Sequence, residues 1–285
     1  MDYKHCSLCP RECGVDRVAG ERGFCRCPDT ARVAKTRLHA WEEPALAGSG
    51  GSGAIFFSGC TLGCKYCQNA AISGGPVGQP VDPAGLRAMM EDLIARGAEN
   101  IDLVTPTHYL PTILPALESP LPVPVVYNCG GYERLEAIRA LAGKVDIYLP
   151  DLKYADDGLA SALSGAADYF SVATAAIREM VAQVGSPQWE GQRLKKGVII
   201  RHLILPGHIE NSLKVLDWIG DHFATGQVLV SLMRQYTPMG ALPAPLDRPV
   251  SDEEYEAVLS WMYLNNIHGF VQEKSAACQA FIPDF

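Results

Sequence analysis

Phe56-Phe57-Ser58-Gly59-Cys60-Thr61-Leu62-Gly63-Cys64-Lys65-Tyr66-Cys67-Gln68-Asn69 is the stretch on which the reading of this chain turns. The apolar run 54–59 predicts a β-strand. It ends on three cysteines spaced C-x3-C-x2-C. A structural zinc site or an ordinary four-iron cluster takes four protein ligands, so three thiolates on a four-iron cube leave one iron open to a small molecule. Gly59 and Gly63 let the backbone curl around such a cube, and Tyr66 offers an aromatic face beside the last thiol. The competing reading is three buried thiols on one helical face at i, i+4 and i+7, and the flanking glycines oppose a helix there.

Working outward, the 285 residues are 48% hydrophobic, enough for one large domain or a domain plus a small appendage, which excludes a disordered or fibrous protein. Lysine and arginine total 24 against 32 aspartates and glutamates, a net charge of −8. That balance offers no general attraction for nucleic acid or an anionic membrane, and neither is expected as a partner. No apolar run reaches 18 residues and the start lacks the layout of a secretory signal, so a cytoplasmic location is expected. Ten cysteines are many for such a chain. Disulfide frameworks belong to short secreted chains, so metal is the better account.

Eight of the ten precede residue 68, the others being Cys129 and Cys278. Cys6-x2-Cys9-x3-Cys13, followed by Cys25 and Cys27, supplies at least four ligands and predicts a second centre, zinc or iron–sulfur. Arg11, Arg17, Arg22 and Arg26 interleave with them, either offsetting thiolate charge or forming a solvated face. The run Gly48-Ser49-Gly50-Gly51-Ser52-Gly53 places a module boundary near residue 50. The expected organisation is a cysteine-rich segment over 1–50 and a catalytic domain over 51–285.

Beyond that boundary, strand candidates at 54–59, 101–105, 123–127, 145–149, 198–204 and 228–232 alternate with helical patterns, an α/β arrangement of βα units. Asp82-Pro83 predicts a helix start, and Gly97 its end. Tyr169, Val172, Ala176 and Met180 share one helical face, and Ser251-Asp252-Glu253-Glu254 reads as a capping box. Six repeats fit a barrel-like sheet or a flat doubly wound one. Either way, ligands sit at the C-terminal strand ends.

Cys60, Cys64, Tyr66 and Cys67 match the C-x3-C-x-aromatic-C signature of the radical S-adenosylmethionine (SAM) superfamily. The segments 100–109, 127–132, 146–154 and 201–207 are similar to the subfamily related to pyruvate formate-lyase activating enzymes. The resemblance spans nearly the whole chain. It implies a partial (β/α)6 TIM-like barrel and a 4Fe–4S cluster on Cys60, Cys64 and Cys67, whose open iron chelates SAM. It further implies reductive cleavage of SAM to a 5′-deoxyadenosyl radical that abstracts a substrate hydrogen, fed by a reductant such as flavodoxin or ferredoxin. Two substrate classes stay open: a backbone glycine of a glycyl-radical enzyme, or another peptide or small molecule. A non-catalytic metal or electron-transfer protein is a third reading, which the open-iron triplet opposes.

The resemblance also nominates residues at strand ends. Asp151-Leu152-Lys153 matches a segment that contacts SAM in the activating enzymes, with Lys153 at the carboxylate and Asp151 at the ammonium or a bound cation; the competing reading is a loop ion pair. Asn128 stands where relatives carry an acidic stretch and is a candidate SAM contact, with a turn residue as the competing reading, while Cys129 is read as a buried thiol in preference to one near the radical. Thr105, Thr107 and His108 stand where many relatives read G-G-E, a motif that binds the SAM amino group, and are candidates for that job, with a helix-entry histidine the competing reading of His108. Strand alternation separates Ile200, His202 and Ile204 from Ile199, Arg201, Leu203 and Leu205, and a histidine amid isoleucines is either lumen-facing, the preferred reading, or a satisfied core residue. Pro206-Gly207 either lets the chain approach adenine or forms a plain turn, and Met233-Arg234-Gln235-Tyr236 is placed to touch substrate, with Tyr236 as a core edge residue the competing reading.

Overall fold

A computed structural model describes residues 2–272; Cys278 and the last residues of the expected 51–285 unit lie outside the described residues. The strands are β1 (Ala31–His39), β2 (Ser52–Phe57), β3 (Gln79–Val81), β4 (Ile101–Val104), β5 (Val125–Cys129), β6 (Ile147–Pro150), β7 (Gln188–Glu190), β8 (Arg193–Leu203), β9 (Leu229–Met233) and β10 (Gly269–Val271). The helices are α1 (Pro44–Ala47), α2 (Ala70–Ser73), α3 (Pro83–Ala95), α4 (Leu110–Ala116), α5 (Leu135–Ala140), α6 (Asp157–Ser164), α7 (Tyr169–Val184), α8 (Ile209–His222) and α9 (Asp252–Leu264). Among the described residues, no helix is long and apolar enough to cross a membrane.

The sheet runs β10-β9-β8-β6-β5-β4-β2-β1-β3, every pairing along that path from β2 to β10 is parallel, and β7 pairs antiparallel with β8 off the path. The six expected strands are β2, β4, β5, β6, β8 and β9. They form the partial barrel, open between β3 at one edge and β10 at the other. β1 lies before the expected boundary near residue 50, yet pairs antiparallel with β2 from Val33–Phe57 to His39–Ser52, so the sheet runs across that point. Its sequence, ARVAKTRLH, alternates too weakly to announce a strand.

Local chemistry explains the helix ends. Asp82 caps α3 by accepting from the Gly85 amide at 2.7 Å, with Pro83 at the first position, and Gly97 turns the chain away at φ +97°. At α9, the Ser251 side chain accepts from Glu254 N while the Glu254 carboxylate accepts from Ser251 N at 2.8 Å, both halves of a capping box.

Strand alternation divides the core in two. Ile55, Leu103, Tyr127, Tyr148, Ile200 and Leu232 face outward and pack under the helices. Val126, Ile147, Leu149, Ile199 and Leu229 face inward, and Ala45 and Leu46 of α1 plug the barrel beneath them. Above this apolar floor the inward positions turn polar, with Asp102, Asn128, Arg201 and Ser231 buried or nearly so. Buried polar groups on successive strands need partners, and that requirement builds the site.

Candidate active site

A cavity of about 670 Å³ opens at the C-terminal strand ends. Cys60, Cys64 and Cys67 line one wall, with Tyr66 between the last two. The loop that carries them uses left-handed backbone at Gly59 (φ +82°) and Gly63 (φ +65°). A side chain at Gly59 would collide with the Cys27 sulfur, so glycine is required for packing as well as for torsion. The Leu62 amide donates to the Cys60 sulfur at 3.4 Å, and Ser164 Oγ donates to the Cys64 sulfur at 3.1 Å.

Ser164 has one proton. Spending it on Cys64 orders a chain in which Tyr66 donates to Tyr154 (2.7 Å) and Tyr154 to Ser164 (2.7 Å). Burial pushes the Cys60 thiol up to about 12. A thiolate at that depth requires a compensating cation, which iron supplies, so the donor set fits a cluster ligated by three cysteines. Ser164→Ala removes the hydrogen bond to the Cys64 sulfur. About tenfold weaker cluster retention or activity is expected, read as iron content after gel filtration. Unchanged retention and activity would show the bond to be idle.

The opposite wall carries charge. Lys153 Nζ is 2.5 Å from Asp151 Oδ2, and Arg201 Nε is 2.8 Å from Asp151 Oδ1. Burial works to raise the Asp151 carboxyl, but the two cations outweigh it and hold it below the usual range. Arg201 also donates to Asn128 Oδ1 at 2.6 Å, while Asn128 Nδ2 reaches Asp102 Oδ2 at 3.3 Å. Thr105 completes the rim at φ +58°, a left-handed conformation rare for a β-branched residue and of the kind concentrated at functional sites. Thr107 also lines the cavity, and its hydroxyl donates to Glu133 at 2.7 Å.

Cys60, Cys64, Cys67, Tyr66, Thr105, Thr107, Asn128, Asp151 and Lys153 therefore border one cavity. Two expected residues do not. His202 faces the helices, where Nδ1 donates to Leu152 O (2.7 Å) and Nε2 accepts from Ser212 (2.8 Å). Burial drops its pKa to about 4, so it is a neutral core histidine. Arg201 and Leu203, on the opposite face of the strand, border the cavity, so the core alternative for His202 holds and the lumen expectation fails. His108 is turned away by the short 3-10 helix at Thr107–Tyr109 and donates from Nε2 to Ser58 O at 2.8 Å, on the N-terminal side.

Gly207 approaches Pro245 and does not border the cavity. Met233, Gln235 and Tyr236 do border it, whereas Arg234 turns out to Asp252 at 2.7 Å. Cys129 is a buried thiol at the cavity edge. Arg201, Glu42 and Glu43 are functional candidates that sequence reasoning missed. The signal for Arg201 was present, because an arginine inside a strand of isoleucines needs a buried partner.

The cysteine-rich segment packs on the cluster loop. Arg11 donates to Thr61 O (2.9 Å), Leu62 O (3.2 Å) and Ser164 O (2.7 Å), and buried Arg17 donates to His108 O (2.7 Å). Both arginines thus serve backbone carbonyls, and Arg17 also stands 3.9 Å from the Cys6 sulfur. Cys9 lies within the electrostatic reach of Cys25 and Cys13, while Cys27 packs on Gly59 and hydrogen-bonds to Cys25 O and Ser58 O. Among the described residues, no three His, Cys, Asp or Glu side chains stand close enough to hold a single metal ion.

The chain is 30% identical over 269 residues to the uncharacterized protein MJ0674 of Methanocaldococcus jannaschii, a match covering 90% of this chain and 74% of that protein. This chain belongs to the family of that archaeal protein. Within this family member, residues 46–106 match the model described as a 4Fe-4S single cluster domain, which includes the whole cysteine triplet. The fold is that of radical SAM enzymes. A radical SAM methyltransferase from Sphaerobacter thermophilus superposes with a TM-score of 0.55 at 16% identity, covering 80% of this chain and 69% of the other. SuiB of Streptococcus suis, bound to precursor peptide SuiA, gives 0.51 at 14% identity; the match covers 75% of this chain and about half (47%) of SuiB.

Proposed function

We propose that this protein is a radical SAM enzyme, and that the observation carrying the reading is three thiols converging on the charged end of one cavity at the barrel mouth. Once held, the cluster and SAM supply a one-electron cleavage of the sulfonium that yields a hydrogen-abstracting 5′-deoxyadenosyl radical. Cys60, Cys64 and Cys67 would ligate the cluster. Lys153, beside Cys64 and Cys67, would take the methionyl carboxylate of SAM, and Asp151 and Asn128 its ammonium. Thr105, Thr107 and Tyr66 would line the cofactor's path. The wall of Tyr66, Tyr236 and Met233 keeps water from the reacting carbon, which a primary radical demands.

Two substrate readings follow. Activation of a glycyl-radical enzyme rests on the resemblance at strand ends. The acidic side chains of Glu42 and Glu43, which line the cavity, favour the other, a peptide or small molecule bearing its own charged group, since a backbone glycine brings none. SuiB, which superposes on this chain over 47% of its own length, is bound to precursor peptide SuiA, and that likeness supports the peptide reading. Anaerobic reconstitution with iron and sulfide, then dithionite and SAM, is expected to yield 5′-deoxyadenosine. A yield no greater than that of Cys60→Ala sinks the radical reading. A glycine doublet in electron paramagnetic resonance with a glycyl-radical partner would decide for the activase.

We also propose a second centre among Cys6, Cys9, Cys13, Cys25 and Cys27. What supports it is five thiols in one short segment, with Cys13 and Cys25 each within electrostatic reach of Cys9. Metal analysis of a Cys6→Ala/Cys9→Ala double variant is expected to show the loss of zinc or of iron beyond the triplet's share. Unchanged metal content would remove the second centre.

A further inference from the structure

Thr61 and Leu62 lie between the first two thiols of the triplet, and both are buried. The Leu62 amide is given to the Cys60 sulfur, so the carbonyls of this tight loop must find partners elsewhere. At the end of α6, Ser164 and Gly165 present carbonyls of the kind that a helix's last turn always leaves over. A single side chain meets all four. Arg11 donates from Nε to Thr61 O at 2.9 Å, from Nη2 to Leu62 O (3.2 Å) and Ser164 O (2.7 Å), and from Nη1 to Gly165 O. Its guanidinium carbon lies 3.9 Å from the centre of the Phe24 ring and 5.3 Å from that of Tyr132.

We infer that Arg11 is a positioning residue for the radical cluster: it holds the Cys60–Cys64 loop against the end of α6 and thereby keeps the Ser164 hydroxyl on the Cys64 sulfur. The inference rests on the radical SAM reading and adds to it a residue from outside the barrel. Ser164 serves both contacts. Its carbonyl accepts from Arg11 at 2.7 Å, and its hydroxyl donates to Cys64 at 3.1 Å. Hydrogen bonds to a ligating sulfur tune the affinity and the potential of a cluster, so a side chain that fixes Ser164 reaches the iron through it.

Cys64 is bracketed. The residues before it are tied to the end of α6 by Arg11, and Lys65 after it donates its amide to Leu163 O at 2.9 Å. Capping of α6 would account for Ser164 and Gly165 alone, and packing of the loop for Thr61 and Leu62 alone. A planar fork that serves both sets fixes their separation, which a lysine's point charge cannot do. Arg11 stands between Cys9 and Cys13 in sequence, so the clamp also links the cysteine-rich segment to the radical cluster. Arg22 gives the contrast, since it donates to Gly20 O and Glu21 O, its own neighbours.

The test compares Arg11→Met, Ser164→Ala and the double variant after anaerobic reconstitution and gel filtration. Iron retained by the triplet is taken as the share that Cys60→Ala loses. Arg11→Met is expected to weaken retention about tenfold and to move the electron paramagnetic resonance spectrum of the reduced cluster toward that of Ser164→Ala. The double variant should fall well short of the roughly hundredfold loss that two independent effects would give. Arg11→Lys keeps the cation and should lose several-fold, and Arg22→Met should match the wild type. Wild-type retention and spectrum in Arg11→Met, the full product in the double variant, or an equal loss in Arg22→Met each overturns the inference. If Arg11→Met does not fold, Arg11→Lys carries the comparison, and a wild-type result there is equally fatal. Formation of 5′-deoxyadenosine by the wild-type batch reports the radical reading separately. Iron retained without it sinks the chemistry and keeps the clamp, and product beside an unaffected Arg11→Met sinks the clamp and keeps the chemistry.

Discussion

Arg201→Met is expected to cost about 3–5 kcal/mol of folding free energy, because breaking a buried ion pair leaves its partner charges uncompensated. Arg201 holds Asp151 at 2.8 Å and Asn128 at 2.6 Å, and also faces Glu42, Glu43 and Asp102. Its side chain is 17% exposed, so water cannot substitute for it. Methionine fills similar volume, which separates the charge effect from a cavity effect. The contrast is Arg96, paired with Asp92 one helical turn away at 3.2 Å and half exposed, whose removal should cost no more than about 0.5 kcal/mol. Urea denaturation of both variants checks the pair of values. A loss for Arg201→Met as small as that for Arg96→Met would mean that the carboxyls facing it are already neutral without it.

The second large effect is a pH dependence centred on Glu133. This carboxyl is 2% exposed, and burial pushes it up to about 7 from an ordinary 4.5, although Thr107, Tyr127 and Cys129 donate to it. An acid raised in the folded state keeps its proton there after the unfolded chain has lost it. Its favourable contribution is therefore complete below pH ~4.5 and is lost as pH rises toward ~7. At 1.36 kcal/mol per pKa unit the loss is about 3 kcal/mol. Glu43 shifts in the same direction and adds to the slope. Glu133→Gln cannot titrate, so its urea midpoint should fall less between pH 5 and pH 8 than that of the wild type. Parallel pH curves for the two proteins would remove Glu133 as the cause.

Much of this architecture could be read from residues in order. The six barrel strands emerged from apolar runs between turn signals, and the α3 and α9 caps from a few letters each, since these depend on contacts three or four residues apart. β1, β3, β7 and β10 did not emerge, being short or weakly alternating and held by partners elsewhere in the chain. The cysteine triplet was legible because its ligands are close in sequence. The meeting of Glu42 and Glu43 with Arg201 in the cavity was not, because they come from a loop and a strand far apart in the chain.

The histidines show where the division falls. Periodicity correctly paired His202 with Ile200 and Ile204, but which of a strand's two faces looks inward depends on what covers each, and helix α8 covers this one through Ser212. His108 was placed at the right strand end and then rotated off the cavity by a 3-10 turn. The amino-acid order alone settled the type of cofactor chemistry to expect, through three thiols at fixed spacing, and the βα rhythm that carries them. Only the folded chain decided which charges meet, because electrostatic neutrality and hydrogen-bond satisfaction in a low-dielectric interior are properties of groups in space and not of neighbours along the backbone.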